Sequence, residues 1–170
     1  MKVSFDFDGT LSRKDVQDFA IKLVNSGFEV WIVTSRCSTE SALAKGWWWV
    51  EKQNQQLYDV AEECGISRER IQFTEHVDKI EFLEGKNFVF HLDDDMDELI
   101  EIKKSGDQCG PINVGHSDWK LFCIEELEEK FSAILNLTKN DSSILLKELL
   151  DPRKPNLKLK EAFKKYKNEI

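Results

Sequence analysis

The chain has no apolar run approaching the ~20 residues that a membrane-spanning helix requires, so no such span is expected among its 170 residues. Cysteine is sparse and badly placed for metals or cross-links. Cys37, Cys64, Cys109 and Cys123 stand far apart, with no Cys-x-x-Cys pair and no adjacent histidine. That spacing argues against a zinc site or a disulfide framework and for reduced, mostly buried thiols. His76, His91 and His116 are equally scattered, so no histidine-centred catalytic cluster is expected. Positive charge is also short. The formal charge is −8; residues 151–170 carry +4, which leaves −12 on the preceding 150. An acidic body of this kind repels nucleic acid at long range. No nucleic-acid-binding motif is present, so nucleic acid is expected at most as a substrate end and not as a stable partner. Met1-Lys2-Val3 runs straight into an apolar segment without a signal-peptide pattern, and a cytoplasmic location is expected.

What is present suits a single domain. A chain of 170 residues that is 41% hydrophobic fills one core but not two ordinary ones. Val3 to Phe7 has strand character. Ser12 is the expected N-cap of a first helix, with Asp15 three residues on; Val16, Phe19, Ala20, Leu23 and Val24 repeat at helical spacing up to Gly27. Phe28 to Val33 is a second apolar run, and strand–helix–strand with short links makes a right-handed parallel unit. A one-face stripe follows through Leu43, Trp47, Val50, Asn54, Leu57, Ala61 and Cys64, weakened at Gly46 and compatible with one helix or two. Ile71 to Phe73, Phe88 to Leu92 and Ile112 to Val114 are the remaining expected strands, with helices over Val77 to Leu83 and Met96 to Lys104 between them. Another amphipathic helix is marked by Ile124, Leu127, Phe131 and Ile134. The pattern predicts an α/β fold, a three-layer α/β/α sandwich of Rossmann-like plan with a central five-stranded parallel sheet. We expect a catalytic domain over 1–137 and a C-terminal helical appendage over 138–170, packed on the core through Leu159, Phe163 and Tyr166.

Chemistry concentrates at the end of the first strand. Ser4-Phe5-Asp6-Phe7-Asp8-Gly9-Thr10-Leu11 places two aspartates two residues apart behind an apolar run. Gly9 then lets the chain turn sharply. One carboxylate can attack a phosphorus while the other carries a proton. Asp93-Asp94-Asp95 ends a second apolar strand. Three carboxylates also suit a helix N-terminus, but so apolar a strand ending in them is costly without a cation. An oxygen-seeking ion such as Mg²⁺ would let the acidic cluster persist.

Four blocks in order resemble the haloacid dehalogenase-like (HAD) superfamily: Asp6-Phe7-Asp8-Gly9-Thr10; Val30 to Thr34 with Ser35 and Arg36; Lys79; and Phe88 to Leu92 followed by Asp93-Asp94. The resemblance covers residues 1 to about 115 and implies a magnesium-dependent phosphomonoesterase working through a phosphoaspartate. It implies Asp6 as nucleophile and Asp8 as acid and base. Thr34, Ser35, Lys79 and the Gly9 and Thr10 amides would bind the phosphoryl group. Asp6, Asp8 and Asp94, or else Asp93, would ligate Mg²⁺. Asp97 is expected to orient Lys79 or water, or to begin the next helix. About 19 residues separate Thr10 from the second strand and 44 separate Thr34 from Lys79, so no large cap domain fits. The substrate expected is a phosphorylated compound: a nucleotide, a nucleic-acid end or another small phosphate. A phosphotransferase or a non-catalytic binding protein on the same scaffold is the alternative. Trp47-Trp48-Trp49 either packs on a neighbouring helix or the mate in a homodimer, or walls a site for a nucleoside or aromatic phosphate.

Overall fold

The computed structural model describes residues 1–154, so the expected contacts of Leu159, Phe163 and Tyr166 lie outside the described residues. Five short apolar segments pair as strands: β1 (Lys2–Phe5), β2 (Glu29–Thr34), β3 (Ile71–Phe73), β4 (Phe88–Asp93) and β5 (Gly110–Asn113). All pair in parallel, in the order β3-β2-β1-β4-β5. The helices between and after them are α1 (Lys14–Asn25), α2 (Thr39–Ala44), α3 (Trp49–Glu63), α4 (Ile80–Leu83), α5 (Met96–Ser105), α6 (Trp119–Leu135) and α7 (Lys139–Leu150). The result is an α/β fold of Rossmann-like plan. No helix among the described residues is long and apolar enough to cross a membrane.

Strand alternation sorts the two faces. Val3, Phe5, Val30 and Ile32 share one core with Phe19 of α1, Leu57 of α3, Cys123 of α6 and Leu146 of α7. Trp31, Val33 and Phe88 face the other way, against Leu83 of α4 and Ile102 of α5. Phe5 is the hub of the larger core, edge-on to Phe90 at 5.8 Å and to Phe19 at 6.4 Å. Burial of such a ring contributes about 1.5–3 kcal/mol. All four cysteines are free and buried.

Two local features position the chemistry. The β1–β4 register slips by one residue: Lys2 pairs with Phe88 but Ser4 pairs with His91. This bulge inverts the alternation along β4. Phe88 packs on the α4–α5 side, Phe90 and Leu92 pack on the other, and His91 therefore meets Ser4. The second feature is the sheet order. The chain leaves β1 toward α1 on one face and leaves β4 toward α5 on the other, so a crevice opens between their carboxyl ends, the usual ligand position in such sheets.

Several boundaries depart from the expectation. The first strand ends at Phe5, because Phe7–Leu11 closes a wide turn through Leu11 N–H to Asp6 O and Ser12 N–H to Phe7 O. Ser12 is consequently not the N-cap. Arg13 occupies that position without a side-chain cap, and its guanidinium instead binds Asp15 and the Val114 carbonyl. The stripe from Leu43 to Cys64 breaks into α2 and α3, since Gly46 takes φ +78° between them. Its later members are buried, while Leu43 and Trp47 are exposed. The last strand starts at Gly110 rather than Ile112. Helix α7 lies on the body: Leu146 enters the larger core, Ser142 and Ser132 hydroxyls sit 2.7 Å apart, and Ser26 Oγ donates to Leu149 O.

Candidate active site

The crevice between β1 and β4 is a cleft of about 370 Å³ into which the ends of three strands and the loop before α4 deliver their polar residues. Asp6 follows β1, and its amide donates to Leu92 O across the gap to β4. Thr34 and Ser35 close β2, Asp93 to Asp95 close β4, and Lys79 begins α4. Asp6, Asp8, Gly9, Thr34, Ser35, Lys79, Asp93 and Asp94 all line the cleft. Thr10 is buried behind it, and its hydroxyl donates to Asp94 Oδ1 at 3.3 Å. A larger hollow of about 860 Å³ beside β5 and α6 has no comparable arrangement.

Lys79 is the centre of the cluster. Its Nζ is 2.8 Å from Asp6 Oδ1 and 2.6 Å from Asp93 Oδ2, and all three side chains are buried. One cation therefore serves two carboxylates, leaving a buried excess of negative charge. Burial pushes the Asp6 carboxyl up to about 7, although the Lys79 charge pulls against it. Burial would raise Asp93 as well, but the hydrogen bond from His91 and the nearby Lys79 charge outweigh it and hold Asp93 at about 2. Burial also opposes the Lys79 charge, yet its two carboxylate partners win and raise its pKa.

His91 explains how Asp93 is fixed. Its Nε2 is 2.9 Å from Asp93 Oδ2 and its Nδ1 is 2.9 Å from Ser4 Oγ. Complete burial lowers its pKa despite Asp93, so the ring is neutral near pH 7. A neutral ring that donates from Nε2–H to Asp93 accepts at Nδ1 from the Ser4 hydroxyl, which also lies 3.3 Å from Phe90 O. Asp93 Oδ1 also accepts from the Asp95 amide at 3.0 Å. Asp93 thus takes three protein donors and keeps one free lone-pair site on Oδ1, while Asp94 is exposed.

Asp6, Asp93 and Asp94 each offer an oxygen, and these atoms lie within 4.8 Å of one another. An all-oxygen, anionic donor set suits a hard divalent ion such as Mg²⁺ rather than a softer metal. Gly9 supports the same reading: at φ +70°, a Cβ built there would overlap the Asp94 carboxylate. Glycine is required both by the turn and by the closeness of Asp94.

Asp8 is placed differently. Its carboxylate is turned toward Arg36, with Nε–Oδ2 at 2.7 Å and Nη2–Oδ1 at 2.6 Å, and stands outside the trio of carboxylates. Arg36 also donates to Gln53 O at 2.7 Å and lies over the Phe7 ring. Asp97 lies in the first turn of α5, where its backbone N–H donates to Oδ1 of the capping Asp95, and Glu98 takes the role toward Lys79 instead. Glu98 accepts from the Lys79 amide at 2.9 Å and from Ser35 Oγ at 3.4 Å. Arg36, His91, Ser4 and Glu98 are thus site residues the sequence reading did not assign. His91 had a signal: a polar residue in an apolar strand, two positions before Asp93. Glu98 had none.

Comparison with protein-family models, with curated proteins and with solved structures finds no significant match to this chain.

Proposed function

We propose that this protein is a magnesium-dependent phosphomonoesterase of HAD-like type, with Asp6 as its nucleophile. The observation that carries the reading is the buried Asp6–Lys79–Asp93 bridge beside the exposed Asp94, held open by Gly9. It joins a poised carboxylate, a fixed cation and an all-oxygen donor set at one sheet crevice.

Asp6 would bond to phosphorus through a carboxylate oxygen as the ester P–O bond breaks and the leaving oxygen takes a proton from Asp8. Water would then attack the phosphoaspartate, giving its proton to Asp8 and freeing phosphate and Asp6. Lys79 holds the nucleophile in place and offsets charge on the phosphoryl oxygens, joined by the Thr34 and Ser35 hydroxyls and the Gly9 and Thr10 amides. Asp6, Asp94 and Asp93 would hold the Mg²⁺, together with the Asp8 main chain. When bound, the ion offsets the clustered carboxylates, keeps Asp6 ionised and polarises the phosphoryl group. Arg36 holds Asp8 as a carboxylate at the mouth of the free enzyme; an anionic substrate competes for that guanidinium and releases Asp8, which takes a proton from solvent and then gives it to the leaving oxygen. No covering domain is inserted among the described residues, which favours water over a second substrate as acceptor.

The test is hydrolysis of p-nitrophenyl phosphate with and without Mg²⁺. Turnover should require the ion and fall at least ~10³-fold in Asp6→Asn, which keeps the shape but loses the nucleophile. Near-native turnover in that variant would remove Asp6 from the mechanism.

A further inference from the structure

We propose that the cleft walled by Trp47 and Trp49 is the leaving-group subsite of this enzyme and takes the flat ring of a nucleobase-like substituent on the phosphomonoester. The proposal rests on the phosphatase reading of the neighbouring carboxylate site. The cleft has a volume of about 290 Å³ and shares two lining residues, Arg36 and His76, with the carboxylate cleft. Its size is at the low end of ligand clefts, ~300–1,000 Å³, enough for one ring system beside a phosphate held next door.

The indoles are not there to fill a core. Gly46 ends α2 in a left-handed turn, and Trp47 N–H closes back on Ala42 O at 2.9 Å. Trp47 and Trp48 therefore occupy the joint between α2 and α3, and Trp49 opens α3. Beneath them Cys37, Ala42 and Val50 already make a small apolar cluster. Trp47, Trp48 and Trp49 remain 38%, 73% and 48% exposed. Trp47 and Trp49 lie nearly parallel, at 27° and 6.4 Å between centroids, while Trp48 stands edge-on to Trp49. Two roughly parallel indole faces beside a polar site form a stacking platform, which is tolerant of ring identity because every base has a π face.

The border between the clefts is tied to α3 and to the loop after β3. Arg36 donates to Gln53 O of α3, which holds it when substrate takes the place of Asp8. Glu75 and His76 both hold positive φ, +58° and +67°. Such strain persists where surrounding contacts over-determine it. Here they do: Glu75 binds the Ser38 amide and the Ser41 hydroxyl, and His76 N–H donates to Ser35 O at 2.9 Å. The loop fixes His76 where it borders both the phosphoryl site and the ring site.

The experiment uses the full chain with Mg²⁺ and two esters that differ by the base alone, adenosine 5′-monophosphate and ribose 5-phosphate. The native protein should favour the nucleotide in kcat/KM by roughly 5- to 150-fold, the range expected for one stacked base. Trp47→Ala/Trp49→Ala should bring that ratio close to one, and Trp47→Phe/Trp49→Phe should keep most of it, which separates lost stacking from misfolding. A 5′-phosphorylated oligonucleotide distinguishes the source of the base: a higher kcat/KM than the free nucleotide assigns the subsite to nucleic-acid ends, a lower one to free nucleotides. Tryptophan fluorescence gives a readout independent of turnover, with the nucleotide quenching the native protein and ribose 5-phosphate not. If no ester is hydrolysed but base-specific quenching appears and disappears in the double alanine variant, the phosphatase reading fails and the ring site stands. A native ratio near one without base-specific quenching overturns the proposal. So does a native dimer that the alanine variant converts to monomers, because the indoles would then be an interface.

Discussion

Replacing Lys79 by Met tests the buried bridge at its centre. The substitution keeps length and apolar stem but deletes the cation that lies 2.8 Å from Asp6 and 2.6 Å from Asp93. Neither carboxylate can turn to water, since both are buried. Breaking a buried pair by removing one partner costs about 3–5 kcal/mol, because the other charge is left uncompensated. Two carboxylates depend on this lysine, but Asp93 keeps His91 and the Asp95 amide, so the total should stay near that range. Total stabilities are about 5–15 kcal/mol, and a domain of this size loses roughly 2–4 °C of Tm per kcal/mol. Thermal denaturation at neutral pH without added metal should therefore show a fall of roughly 6–20 °C. Adding Asp93→Asn to Lys79→Met should recover part of it, with a coupling energy above ~1 kcal/mol in the double-mutant cycle. A Lys79→Met protein as stable as the native one, or strictly additive effects of the two changes, would refute the bridge.

Gly9→Ala should cost about 1–2 kcal/mol from the left-handed backbone alone, and its Cβ must displace the Asp94 carboxylate. Calorimetric Mg²⁺ affinity should then fall at least ~10-fold, and unchanged affinity would show that Asp94 is not a ligand. Glu75 gives a pH signature away from the carboxylate cleft. Burial would raise its pKa, but donation from Ser38 and Ser41 lowers it to about 2 from 4.5. The unfolded chain then binds the proton more readily, so this stabilisation is complete above pH ~4.5 and disappears as the pH falls through 2. Urea titrations should show Glu75→Gln weaker than native at pH 6 and the gap closing toward pH 2; a constant gap would contradict the assignment.

The fold was largely legible because its strands are short apolar runs separated by helical periodicity, and a parallel sheet with both faces covered leaves that pattern in sequence. Boundaries failed where tertiary bonds took over. Ser12 has the right side chain for a cap, but its amide is consumed by the Phe7–Leu11 turn. The residues marked by carboxylate spacing converge on one cleft, since Asp6 follows β1 and Asp93 ends the adjacent β4. The support around them was less readable. His91 reaches Asp93 and Ser4 through a bulge that no periodicity announces. Glu98 reaches Lys79 from a separate helix, and Arg36 engages Asp8 across 28 residues of sequence.

In the proposed reaction Asp6 carries the phosphoryl group during turnover. The most direct measurement is rapid acid quenching of the protein with a phosphomonoester and Mg²⁺, followed by mass spectrometry of the peptide containing Asp6. One phosphoryl group is expected on Asp6, labile to hydroxylamine, dependent on Mg²⁺ and absent from Asp6→Asn. It should form and decay more slowly in Asp8→Asn, which loses the proton carrier of both steps. Mg²⁺-dependent hydrolysis with no phosphoryl group on Asp6 at any quench time, or with Asp6→Asn turning over like the native protein, would contradict the proposed reaction.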